Sequence, residues 1–103
     1  ASELKNDSLS IYETLNTNIS SADAVKKIFD IGNNAYKAND FDTAIENLLI
    51  AVELDENNMN ALYILGRAYQ KNGDQESANK YFDIVIEKFP NTQTAANARS
   101  NRQ

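Results

Sequence analysis

Residues 59–92, MNALYILGRAYQKNGDQESANKYFDIVIEKFPNT, decide the fold. Leu62, Leu65, Gly66 and Tyr69 recur at intervals of three and four, the spacing that places side chains on one face of an α-helix. Asn72-Gly73-Asp74 interrupts that pattern. Glycine suits the left-handed residue that ends a helix, and aspartate suits the cap that begins the next. Ala78, Phe82, Val85 and Ile86 then line a second helix, and Pro90 marks its exit because proline cannot continue it. The stretch reads as two helices joined by a tight turn.

The same plan stands immediately upstream. Residues 25–58, VKKIFDIGNNAYKANDFDTAIENLLIAVELDENN, align with 59–92 without a gap. Gly32/Gly66, Lys37/Lys71, Asp40/Asp74, Ala44/Ala78, Ile50/Ile84, Glu53/Glu87 and Asn57/Asn91 are identical, and Leu48/Phe82 and Val52/Ile86 are conservative pairs. Asn39, which can take the left-handed conformation, stands where Gly73 stands in the second copy. Ser20 or Ser21 can cap the first helix, and Asp23 complements its dipole. Downstream, Thr92 to Asn101 predicts a short alanine-rich helix where a third copy would begin. The expected helices are 22–38, 41–54, 59–72, 75–88 and 92–101. The fold class is all-α: a solenoid fragment of two helix-turn-helix repeats (25–58 and 59–92) with a capping helix at 92–101, in one domain over 20–103. In residues 1–19 the apolar positions Leu4, Leu9, Ile11, Tyr12, Leu15 and Ile19 fit neither a clean heptad nor a clean amphipathic stripe. That segment reads as a helix docked on the first repeat, a linker, or the end of a stalk.

Composition narrows the function. A chain of 103 residues holds one small domain, and three Gly with one Pro disfavour a many-stranded β fold. The net charge of −5 argues against non-specific nucleic-acid binding, which requires an excess of cations. Histidine and cysteine are absent, which removes the usual zinc sites, disulfides and the commonest nucleophile–base pairs. No apolar run approaches the ~20 residues that span a bilayer, so direct membrane insertion is not expected. The chain starts at Ala1 with no signal-peptide pattern and reads as a mature form or an excised fragment. Two Ser-x-x-Lys matches, Ser2 to Lys5 and Ser77 to Lys80, lack the companion motifs of penicillin-recognising enzymes. Asp55-Glu56-Asn57-Asn58 resembles the start of a calcium loop but breaks the pattern at Met59, and reads as a helix-ending turn. The expectation is a protein that is not an enzyme and uses no cofactor and no metal.

These residues resemble the tetratricopeptide repeats, whose pattern is W-x2-L-G-x2-Y, A-x3-F and P within 34 residues. The second copy has Leu62-x2-Leu65-Gly66-x2-Tyr69, Ala78-x3-Phe82 and Pro90. The first has Ile28-x2-Ile31-Gly32-x2-Ala35, Ala44-x3-Leu48, and Glu56 where the family prefers proline. The resemblance runs from Val25 to Thr92. In it Gly32, Gly66, Ala44, Ala51 and Ala78 are small where helices approach, and Leu48 and Phe82 fill the holes between them. The tail Phe89-Pro90-Asn91-Thr92 with its alanine-rich continuation is similar to bacterial cell-envelope repeat proteins.

The resemblance implies a protein–protein interaction module that binds a peptide or partner helix on a concave surface. The first helix of each repeat would line it, presenting Lys26, Phe29, Asn33, Tyr36 and Lys37, then Asn60, Tyr63, Arg67, Gln70 and Lys71, with Asn97 and Asn101 added by the last helix. Four of these are cations and none is an acid, whereas the second helices carry Asp42, Glu46, Glu53, Glu76, Asp83 and Glu87. The expected partner is an acidic protein or peptide. Asn33 suits the carboxylate clamp of the family's chaperone-binding members, but Phe29 and Arg67 stand where that clamp has Lys and Asn. The alternative is a structural, self-associating (homo-oligomeric) domain of a larger, membrane-anchored bacterial envelope protein. It rests on an open C-terminal end around Phe82, Val85, Ile86 and Phe89.

Overall fold

The computed structural model of the chain describes residues 21–103. The reading of segment 1–19, and Ser20 as a cap, lie outside the described residues. Among the described residues five helices follow one another: α1 (Ser21–Lys37), α2 (Phe41–Leu54), α3 (Met59–Lys71), α4 (Gln75–Lys88) and α5 (Gln93–Asn101). Each boundary falls within one residue of its expectation.

Local chemistry sets the helix ends. Asn39 at φ 63° and Gly73 at φ 88° are the left-handed residues. In both turns the following aspartate N–H reaches back five residues, Asp40 to the Ala35 carbonyl and Asp74 to the Tyr69 carbonyl, each at 2.9 Å. This is the same helix-closing motif built twice, 34 residues apart. The Asp40 and Asp74 carboxylates then cap α2 and α4 by accepting the backbone N–H of Thr43 (3.3 Å) and Ser77 (3.1 Å). The Ser77 hydroxyl also donates to Asp74, at 2.7 Å. Hydrogen bonds from that hydroxyl, and then from the Ser77 N–H, hold the Asp74 carboxyl below its ordinary value. Ser77 is thus part of the cap of α4. The Asp55 carboxylate accepts the Asn57 N–H at 3.0 Å, as a helix-ending turn requires. Asn58 belongs to the next helix, capping α3 through the Ala61 N–H at 3.1 Å.

The core has two centres. The first joins Ala24 and Ile28 of α1, Ala44, Leu48 and Ala51 of α2, and Ala61, Leu65 and Ala68 of α3. The second joins Leu62 of α3, Ala78, Phe82 and Val85 of α4, and Ala95 and Ala98 of α5. Helix α3 therefore faces both ways and binds the repeats together. Small residues stand where helices meet closely: a Cβ at Gly32 would lie 2.8 Å from Leu48 Cγ, and one at Gly66 would lie 2.7 Å from Phe82 Cε1. The one buried polar side chain among the described residues, Asn47, is satisfied by donating to the Thr43 carbonyl at 2.9 Å.

The C-terminal end is not open as expected. Phe82 and Val85 are fully buried, and Ile86 and Phe89 are half-buried. The reason is α5: Ala95 and Ala98 are small enough to seat that helix directly on Phe82 and Val85. Thr92 caps it, accepting the Ala95 N–H at 3.1 Å.

Candidate peptide-binding surface

Helices α1 and α3 touch, and so do α3 and α5, whereas α2 and α4 do not. A stack whose helices meet in one layer and splay in the other curves toward the layer that meets. The inner, concave layer is therefore α1, α3 and α5. The 34-residue period aligns its side chains in rows: Phe29, Tyr63 and Asn97 in one; Asn33, Arg67 and Asn101 in the next; Lys37 and Lys71 one turn further on.

Three of the ten expected residues, Tyr63, Arg67 and Gln70, meet around Asn101 of α5. Arg67 Nη1 donates to Gln70 Oε1 at 2.7 Å and to Asn101 Oδ1 at 2.6 Å. Gln70 Nε2 donates to the Asn101 carbonyl at 2.8 Å, and Asn101 Nδ2 to the Tyr63 hydroxyl at 3.2 Å. Both oxygens on Arg67 are neutral amides, so the guanidinium is held in place without being neutralised there. Gln75 and Asn79 of α4 extend the cluster: Gln75 Nε2 donates to Asn79 Oδ1 at 2.8 Å, and the Gln103 N–H to the same Asn79 oxygen at 3.1 Å. The sequence reading missed both residues. Their signal was an amide pair four apart, Gln75 and Asn79, on the side of α4 nearest the chain end.

The other expected residues divide. Lys26, Lys37, Asn60 and Lys71 are exposed, and the three lysines have no carboxylate partner among the described residues. Asn33 is half-buried. The rings serve the interior in part. Phe29 packs on the first core cluster. Tyr36 meets Phe41 edge-on at 5.8 Å, and Tyr63 lies 5.9 Å from Phe82. All three are half-buried, leaving part of each ring on the surface. In the outer layer, Asp42, Glu53, Glu76 and Glu87 are exposed, and Asp83 pairs with Arg102. A cavity of about 360 Å³ lies there between Val52, Leu62, Tyr81 and Ile84. Lys88 donates to the Glu56 carbonyl at its rim, at 3.0 Å. Burial first, then the charges of Tyr81 and Asp74, push the Tyr69 hydroxyl above its ordinary value. That ring stacks on Tyr81 at 5.7 Å. None of the described helices is long and apolar enough to cross a membrane.

The amide cluster makes a prediction about α5. Asn101→Ala removes acceptors and donors for Arg67 and Tyr63, and should cost about 1 kcal/mol, the net worth of a typical hydrogen bond. The loss should appear as faster amide hydrogen exchange in α5, with α1 and α2 unchanged. Unchanged protection in α5 would mean that Ala95 and Ala98 hold that helix unaided.

The tetratricopeptide-repeat family model matches residues 29–92. Comparison with curated proteins returns no match. The matched span begins inside α1 and runs through the end of α4, taking in the Gly32–Leu48 and Gly66–Phe82 contacts and leaving out Ala24, Ile28 and α5. The chain belongs to the tetratricopeptide repeat family, whose repeats are non-catalytic protein–protein interaction modules.

Proposed function

We propose that the concave face of α1 and α3 binds an acidic segment of a partner protein. Lys37 and Lys71 steer the segment into place, and Arg67 receives a carboxylate. The observation that carries this reading is the state of Arg67: a half-buried guanidinium, oriented by two neutral oxygens, in a layer whose neighbouring lysines are exposed. Exposed parts of Tyr36 and Tyr63 supply apolar contact beside the charges, a combination that interfaces favour. Exposed charges act mainly on association rate and specificity, so the binding should be weak, about micromolar, and should weaken as salt screens it. The alternative of self-association drew its support from an open C-terminal end, which α5 covers. The concave reading is therefore preferred.

The test uses fluorescently labelled poly-L-glutamate, with poly-L-lysine as control, followed by anisotropy at two salt concentrations. Lys37→Glu with Lys71→Glu should abolish binding while the helical circular dichroism is kept, and Glu46→Lys on α2 should change little. Arg67→Glu is a poorer probe, because Arg67 also holds α5. Binding that survives the double reversal but is lost on altering α2, α4 or residues 1–19 would place the site elsewhere.

A further inference from the structure

Helices α2 and α4 do not touch, and the groove between them in the outer layer is apolar. Leu62 of α3 is its floor, with Val52 of α2 on one wall and Tyr81 and Ile84 of α4 on the other. Ile45, Leu49 and Val52 follow at steps of four and three, so they form one stripe along α2. All three are half-buried, as are Tyr81 and Ile84. Val52 and Tyr81 pack against both core clusters. The core therefore fixes the walls from beneath, while an apolar edge of each faces solvent.

The rim of this groove is acidic. Glu46 and Glu53 directly follow Ile45 and Val52, and one residue along a helix turns a side chain by about 100°. That turn carries both acids to the solvent side of the stripe. On α4, Glu87 is the counterpart of Glu53 one period later. None of these three carboxylates has a cation partner among the described residues. The two lysines of α4 are engaged elsewhere. Lys80 Nζ stands 5.4 Å from the Tyr81 ring centroid, and Lys88 donates to the Glu56 carbonyl at 3.0 Å. The inner layer has the opposite sign, with Lys37, Arg67 and Lys71.

We infer that this outer groove is a second docking site, and that its occupant is a basic amphipathic helix of a partner protein. A helix satisfies its own backbone hydrogen bonds, so it can lie on apolar walls without stranding a polar group. Apolar side chains at steps of three and four on the incoming helix match the spacing of Ile45, Leu49 and Val52. The cavity of about 360 Å³ over Leu62 has room for one large apolar side chain. Lysines or arginines flanking that apolar face would meet Glu46, Glu53 and Glu87. An acidic segment of the kind proposed for the concave face would be repelled here.

The probe is a fluorescently labelled peptide of leucine and lysine, patterned as one amphipathic helix and as long as α2, 14 residues. Its control has the same composition with the leucines scattered around the helix. Anisotropy with the full chain should show the patterned peptide binding more tightly. Glu53→Lys should weaken that binding about fivefold, and the charge-matched Asp30→Lys on α1 should change it little. Ile84→Glu adds an acid but removes part of the apolar wall, and binding should fall. Circular dichroism checks that each variant keeps its helices. On titration the amide resonances of Val52, Tyr81 and Ile84 should shift, and those of Lys37 and Lys71 should not. Equal binding of the scattered peptide, or binding that rises with Ile84→Glu, would show attraction by charge alone and overturn the inference. Shifts confined to other residues would overturn it too. So would shifts of Val52 and Ile84 that grow with protein concentration without peptide, which would assign the groove to a second copy. The concave reading is tested separately, by poly-L-glutamate and the Lys37 and Lys71 reversals.

Discussion

Phe82→Ala should destabilise the domain by about 3–5 kcal/mol, the usual cost of removing a fully buried phenylalanine ring. Phe82 is the largest fully buried side chain among the described residues. Its ring closes against Gly66, lies 5.9 Å from Tyr63, and shares a cluster with Leu62, Ala78, Val85, Ala95 and Ala98. Its neighbours across α4 and α5 are mostly alanine and valine, too short to fill the cavity left behind. A domain of this size has about 5–15 kcal/mol in all, so the loss is a large share of its stability. Urea unfolding should show a lower midpoint with little change in slope. Phe82→Leu should recover much of the loss, because Leu48 fills the equivalent hole in the first repeat, 2.8 Å from where a Gly32 Cβ would stand. A midpoint unchanged by Phe82→Ala would show that the ring does not join α3, α4 and α5.

Ala44→Leu and Ala78→Leu are the second pair of large effects, each about 1–3 kcal/mol in the opposite steric sense. Both alanines are fully buried at equivalent positions of α2 and α4. Three added carbons at either site enter a fully enclosed position and should push the paired helices apart. Thermal melts should drop for both variants, with helical content kept below the transition. The size of the drop reports how far each pair can yield: the α1–α2 pair closes on Leu48, which has more rotamer freedom than the Phe82 ring of α3–α4. Unchanged melting at both sites would mean that these alanines do not face the partner helix.

Helix existence, helix ends and the close contacts were legible without a structure, and the reason is that each is either local or repeated. Asp40 and Asp74 cap helices within three residues of themselves, and Asn39 and Gly73 turn the chain at their own φ. Gly32 with Leu48 and Gly66 with Phe82 are distant enough to be invisible singly, but two aligned copies of one pattern mark them as the small and large halves of one contact. The rows of the concave face follow from the same period. Only the tertiary structure decided how those rows are used. Arg67 and Asn101 lie 34 residues apart, and whether they bond depends on where a nine-residue helix comes to rest on Phe82 and Val85. The same landing turned an expected open end into a closed one, and drew Tyr63, Arg67 and Gln70 into a shared amide cluster with Asn101. Pattern along a chain reports which residues can share a face. Which partner a half-buried polar group finally takes is set by angles and distances between helices, and those are summed over the whole stack.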